Sequence, residues 1–218
     1  MLDKNFNTQI SQITLNSEWL GLVSYEEGLE LQTQSQKRVL DNPELIYLLG
    51  LEHPSVITLG QRAVQDQEIL ILDKNIQILR TERGGLATAH NPGQLVIYPI
   101  LNLTHLGLGA KEYVGLLLNI TVQVLAAFHV KAFVPEYDQG VYTEKGKIAF
   151  CGVRIKNKIT SHGLSINISN DLKIFENIRP CGFTNLKLDR FDNYNNSTPI
   201  EFYKLWVDLF SKQVLDVR

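Results

Sequence analysis

Residues 140–168 read GVYTEKGKIAFCGVRIKNKITSHGLSINI, and this stretch decides the fold. It holds three β-rich runs, 140–143, 147–156 and 159–168, and the turns between them carry Lys145-Gly146 and Lys156-Asn157. Such runs, broken by short turns, predict an antiparallel meander. Just upstream, Val114, Leu117, Leu118, Val122, Leu125 and Phe128 recur at the spacing of one helical face, which predicts a helix over 110–128. Further upstream, 44–51 and 56–59 read as strands on either side of the His53-Pro54 break. Two more strands are expected at 76–81 and 95–98, and a helix over 23–38 with Glu27 and Gln32 among its polar positions. Downstream, Thr198 suits a helix cap, Pro199 the first helical position, and Glu201 completes a Thr-x-x-Glu box. Phe202, Leu205, Trp206 and Leu209 then face the core. The expectation is an α+β fold, with helices packed on a mixed, largely antiparallel sheet, in one domain over 1–218.

Composition narrows the class. The chain has 218 residues, 44% apolar and 20% charged, with 21 Lys+Arg against 23 Asp+Glu for a net charge of −2. That excludes disorder, collagen and a polyelectrolyte tail. The two cysteines, Cys151 and Cys181, allow one bridge at most, so reduced thiols are the default. The first eleven residues include Asp3, Lys4 and Asn5 and lack an apolar core, so no signal peptide is expected. The most apolar stretch, 114–128, is interrupted by Asn119, Thr121 and Gln123 and falls short of the ~20 apolar residues that span a bilayer. No membrane association and a cytoplasmic location are expected. Charge is uneven: from Lys145 to Arg190 nine basic residues face three acidic ones, an excess of +6. This is either a solvated face or a docking surface for an acidic partner.

Three segments break ordinary patterning. The first runs from Arg83-Gly84-Gly85 through Leu86, Ala87, Thr88 and Ala89 to His90-Asn91-Pro92-Gly93-Gln94. Paired glycines let backbone approach a ligand closely, beside the donors of Arg83 and His90. Neither a dinucleotide fingerprint nor a phosphate-binding loop is present. The second is Gly146-Lys147-Ile148-Ala149-Phe150-Cys151-Gly152, where a lysine heads an apolar strand. Lys147 either snorkels at the strand end or, if buried near a thiol, stabilises its thiolate. The third is Pro180-Cys181-Gly182. Its flanking residues place Cys181 on a tight loop and suit a nucleophile, whereas Cys151 suits a small buried hydrophobe. His162 is either a hydrogen-bonded core histidine or a pocket wall, while His53, His105 and His129 read as structural. No Cys/His set has metal-ligand spacing, so no metal site is expected. The basic span lacks an aromatic stacking rhythm and the pI is about 6.2, so no nucleic acid is expected as a partner.

Taken together, these segments resemble the lipoyl (octanoyl) transferase family, also called lipoate–protein ligase B. The resemblance starts at Tyr25 and passes through Glu52-His53-Pro54 and Thr58-Leu59-Gly60. It continues in Arg83-Gly84-Gly85-x-x-Thr88-x-His90-x-Pro92-Gly93-Gln94, in Tyr98-Pro99-Ile100, and in Gly140-Val141-Tyr142. Gly146-Lys147-Ile148-Ala149, Gly152-Val153-Arg154-Ile155, His162-Gly163-Leu164, Asn167, Asp171 and Pro180-Cys181-Gly182 complete it. The resemblance implies a fold like that of the biotin and lipoate ligases and transfer of an octanoyl group with no cofactor. The implied donor is octanoyl-acyl carrier protein. The implied acceptors are lipoyl domains of 2-oxoacid dehydrogenases and the H protein of glycine cleavage. Cys181 would carry the acyl group and Lys147 would lower its pKa. Arg83, Gly84, Gly85, Leu86, Ala87, Thr88, Ala89 and His90 would line the acyl-thioester site, together with Phe150, Cys151 and Gly152, and with Gly163, Leu164 and Ser165.

The sequence departs from the family pattern at Ala89, where an aromatic is usual, at Asn91, at the pair Phe150-Cys151, and at Ser165. These departures bear on the shape of the acyl pocket. Three other readings stand beside this one: octanoyl transfer between two lipoyl-type domains, a paralogue that binds acyl carrier without turnover, and a cysteine hydrolase pairing Cys181 with His162. Retention of both Lys147 and Cys181 disfavours the second, and the lack of papain-type local motifs disfavours the third.

Overall fold

The three runs of residues 140–168 form the expected strands. The computed structural model describes residues 13–180, 182 and 186–215. In chain order the elements are β1 (Thr14–Leu22), α1 (Tyr25–Asp41), β2 (Leu45–Glu52), β3 (Val56–Leu59), α2 (Gln65–Glu68), β4 (Gln77–Arg80), β5 (Ala87–His90), β6 (Gln94–Ile100), α3 (Ala110–Ala127), β7 (Gly140–Tyr142), β8 (Lys147–Lys156), β9 (Ile159–Asn167) and α4 (Pro199–Leu215). Two 3₁₀ turns cover Leu172–Asn177 and Phe191–Asn193. Six strands form one sheet in the order β1-β2-β6-β9-β8-β7, and three form a second in the order β4-β3-β5. Among the described strands the β1–β2 and β3–β4 pairs are parallel and the other pairs antiparallel. The fold is thus α+β with mixed, largely antiparallel sheets, although the strands divide into two sheets rather than one.

Local chemistry explains the best-defined hairpin. Asn157 and Lys158 have φ of 51° and 66°, the left-handed pair that closes a two-residue turn whose twist matches the strands. That turn sets Lys156 opposite Ile159 and fixes the register down to Ala149 opposite Ile166. Helix α1 starts where Ser24 accepts a hydrogen bond from the Glu27 backbone N–H at 3.1 Å. At the start of α4, Glu201 reaches back to accept from the Thr198 backbone N–H at 2.7 Å, as the capping box requires.

Alternate residues of β6 face opposite sides. Leu95 and Ile97 join the large cluster under α3 and α4, with Leu48, Leu117, Val124, Leu164, Phe202 and Trp206. Val96 and Tyr98 join a separate cluster against α1, with Val39 and Leu51. Each large side chain fully buried here contributes about 1.5–3 kcal/mol. On α4 the fully buried residues are Phe202, Trp206 and Phe210 with Tyr203, while Leu205 and Leu209 only flank the cluster. A third cluster joins the small sheet to the first 3₁₀ turn through Ile57, Leu59, Ala87, Ala89, Phe150, Phe175 and Ile178. No helix among the described residues is long and apolar enough to cross a membrane.

Candidate active site

The segment between β4 and β5 is organised by one buried side chain. Arg83 donates from Nε to Thr58 Oγ1 (2.9 Å), and from its two terminal nitrogens to the carbonyls of Thr58 (2.6 Å), Leu86 (2.7 Å) and Gly84 (3.0 Å). A planar guanidinium can hold several carbonyls at fixed angles, so it shapes the loop it begins. The two glycines let that loop lie flat. Gly84 donates its backbone N–H to the Val153 carbonyl at 3.1 Å, and a Cβ there would lie 2.9 Å from the same oxygen. Gly85 takes φ of 88°, a region that favours glycine. The loop is thereby pressed onto β8.

Between that loop and the large sheet lies a cavity of about 60 Å³. Of the expected acyl-site residues, Arg83, Gly84, Gly85, Leu86, Ala87, Thr88 and His90 line it from the loop and β5. Phe150, Cys151 and Gly152 line it from β8, and Gly163, Leu164 and Ser165 from β9. Register makes this convergence possible, because Gly152 faces Gly163, Cys151 faces Leu164 and Phe150 faces Ser165. Ala89 is the exception. It is fully buried in the third cluster, with Phe150, and does not line the cavity. Tyr25, Val96, Tyr98 and His162 also line it. Tyr25 and Tyr98 had no local signal of a pocket role, since they reach the site from the start of α1 and the middle of β6.

Three histidines surround the polar end, all neutral near pH 7. Burial lowers His53 to about 4 and His90 and His162 each to about 3. A neutral ring has one donor and one acceptor nitrogen. His53 Nδ1 donates to the Val23 carbonyl (2.7 Å), so its Nε2 accepts from the Tyr98 hydroxyl (2.8 Å). His90 Nδ1 donates to Gln94 Oε1 (2.6 Å), and Gln94 Nε2 donates to Asn167 Oδ1 (2.9 Å). The His53 and His90 rings lie 5.6 Å apart, and His53 itself does not line the cavity. His162 has φ of 55°, and its backbone N–H donates to Gln32 Oε1 of α1 at 2.6 Å. Its Nδ1 is buried without a hydrogen-bond partner, as is Thr88 Oγ1. Both residues line the cavity, so the wall holds two polar atoms unsatisfied by the protein.

Lys147 does not snorkel. It is fully buried and ion-paired to Asp138, which is 11% exposed. Its Nζ sits 4.8 Å from the centre of the Phe150 ring and 5.6 Å from that of Tyr142. Burial pushes the Cys151 thiol up to about 12, and the neighbouring Lys147 ammonium opposes that rise without cancelling it. Cys151 is therefore a thiol and not a thiolate near pH 7. Cys181 lies outside the described residues. Its neighbour Pro180 forms a bridge with Ala87, which lines the cavity. Among the described residues, no group of three or more His, Cys, Asp or Glu side chains is placed to hold a metal ion.

Similarity to known proteins defines the class. The family model of the lipoyl protein ligase A/B catalytic domain matches residues 24–201, and the chain belongs to that family. A protein named octanoyltransferase from Pelobacter propionicus is 40% identical over 163 residues, 75% of this chain and 77% of its own length. One of the same name from Halorhodospira halophila is 34% identical over 203 residues, 93% of this chain and 92% of its own. Among solved structures, a bipartite lipoate protein ligase from Thermoplasma acidophilum superposes with a TM-score of 0.70 at 13% identity, covering 93% of this chain and 85% of its own. A biotin protein ligase from Leishmania major gives 0.57 at 9% identity, covering 93% and 75%. The expected biotin and lipoate ligase fold is present.

Proposed function

We propose that the chain is an octanoyltransferase of protein lipoylation. It moves octanoyl from acyl carrier protein through a Cys181 thioester to a lysine of lipoyl domains. The reading rests on membership of the family, on relatives of that name along most of the chain, and above all on one observation. The loop after Arg83, the middle of β8 and the middle of β9 line one cavity, and the buried Lys147 lies 4.8 Å from the centre of the Phe150 ring that also lines it.

The chemistry needs two displacements. The Cys181 thiolate attacks the carbonyl carbon of the octanoyl thioester, forming one C–S bond and breaking another. The departing carrier sulfur takes a proton from the Lys147 ammonium. The acceptor lysine amine then attacks the Cys181 thioester, gives its proton to the now neutral Lys147, and releases Cys181 as thiolate. The donor is already activated, so the cycle closes without a nucleotide. Reduced thiols suit the cytoplasm, where the reading places the reaction. Intact-mass analysis after mixing with octanoyl-acyl carrier protein tests it. One octanoyl adduct mapping to Cys181, discharged by a lipoyl domain, supports the reading. No adduct from the carrier, with one from octanoyl-lipoyl domain, would shift it to transfer between lipoyl-type domains.

A further inference from the structure

Lys147 is held by more than its own strand. Its ammonium pairs with Asp138, which also accepts from the Tyr142 hydroxyl at 2.6 Å. Gly140 completes the slot, because a Cβ there would lie 2.9 Å from Lys147 Nζ and closer still to Cε. Aromatic faces of Phe150 and Tyr142 close the remaining sides. A buried ammonium that loses its counter-ion is strongly disfavoured, so the carboxylate governs whether the lysine stays charged.

We propose that Asp138 is the positioning residue for Lys147, so that Cys181, Lys147 and Asp138 work as nucleophile, cation and orienting carboxylate. The assignment rests on the function proposed above and adds a third group to it. Asp138 acts through Lys147, keeping it cationic in the resting enzyme and aimed along the wall shared with Phe150. Four further titratable groups are described near the lysine. Cys151, on the same strand, is pushed up to about 12 by burial. Tyr142, on β7, donates to Asp138 itself. Asp189, which donates its backbone N–H to the Lys147 carbonyl, has its carboxylate taken up by Thr143, Asn193 and Tyr194. Tyr194 is raised to about 12 by burial and by that hydrogen bond to Asp189.

The sign of one shift separates this role from a bystander charge. A carboxylate acting directly on the thiol opposes the thiolate, so its removal would lower the Cys181 midpoint. A carboxylate acting through Lys147 does the reverse. The measurement is iodoacetamide alkylation of Cys181 against pH, which needs no acyl donor, in the Cys151→Ala background. Asp138→Asn is expected to raise the midpoint by about one pH unit or more, and Asp138→Glu to restore most of it. In a Lys147→Met background, Asp138→Asn is expected to have no further effect. A lowered or unmoved midpoint in Asp138→Asn overturns the proposal. Should Asp138→Asn fail to fold, Asp138→Ser is read in the same alkylation assay: a raised Cys181 midpoint is expected, and a lowered or unmoved one overturns the proposal. Octanoyl loading, run in parallel, reports on the transfer reaction separately.

Discussion

The rings of Phe150 and Phe175 stack 5.2 Å apart and 10° from parallel, and Phe150 at the same time lines the cavity. Phe150 is thus a partition between the cavity and the apolar cluster under the first 3₁₀ turn. Ala89 lies in that same cluster. The two departures from the family pattern therefore share one apolar cluster, and of the two Phe150 alone also lines the cavity.

Phe150→Ala is expected to enlarge a space of only about 60 Å³ and to admit longer chains. Two further methylenes at about 0.8 kcal/mol each shift preference roughly tenfold. Competition between octanoyl and decanoyl carrier measures the ratio, and an unchanged ratio would place the chain elsewhere. The same variant loses about 3–5 kcal/mol of stability, read from urea unfolding.

Cys181→Ala is expected to abolish adduct formation and Cys151→Ala to preserve it. The Cys151 thiol, held near 12 by burial, has little thiolate at neutral pH. Peptide mapping of the octanoyl adduct in each variant checks this, and an adduct that survives only in Cys181→Ala reverses the assignment.

Much of this was legible in the sequence, for identifiable reasons. The hairpin of β8 and β9 and the long α3 announce themselves because alternation and helical spacing are local. Strand β1 does not, since Asn16, Ser17 and Glu18 give it a polar look. It is an edge strand, paired in parallel with β2 across the α1 crossover. Strand β5 was hidden inside the Gly-rich segment, being four residues of small and polar character. The cavity wall was legible wherever it follows a motif along the chain. Tyr25, Val96 and Tyr98 stand in segments that carry the resemblance but had no role assigned there, because pleat direction and strand order bring them in. Nor does spacing alone predict the Asp138 ion pair, nine residues from Lys147 around the β7 turn.

Stability should fall steeply below neutral pH. His53, His90 and His162 have folded-state values near 4, 3 and 3, below the ordinary 6.5. A lowered folded value means the unfolded chain binds the proton first. The contribution is therefore complete above pH 6.5 and is lost as pH falls toward 3 to 4. Each group costs about 1.4 kcal/mol per pH unit in that window, or roughly 4 kcal/mol for the three between pH 7.5 and 5.5. Urea midpoints across that range give the slope, and a flat profile would mean the rings are charged or solvated.

Carrier-dependent kcat/KM is expected to fall with salt while kcat changes little. Of the charged residues from Lys145 to Arg190, only Lys147 and Asp189, one of each sign, are buried, so the excess of +6 belongs to groups that reach solvent. Exposed charges steer an acidic partner over a Debye length that shrinks roughly fourfold from about 20 to about 300 mM salt. A salt-independent kcat/KM would leave this surface as a solvated face.

Arg83→Lys tests whether the guanidinium builds the loop or merely neutralises charge. All four of its hydrogen bonds given above go to Thr58, Gly84 and Leu86, and three of those acceptors are backbone carbonyls. Lysine keeps the charge but places its donors on a single atom, so it can satisfy at most part of the set. Hydrogen bonds to charged groups contribute about 1.5–3 kcal/mol each, and of the carbonyls left behind that of Thr58 is buried and those of Gly84 and Leu86 are part-buried. The variant should lose at least about 2 kcal/mol in urea unfolding. Because the loop is one wall of the cavity, KM for the octanoyl donor should rise more than kcat falls. Unchanged stability and KM would show that the paired glycines hold the loop without the arginine.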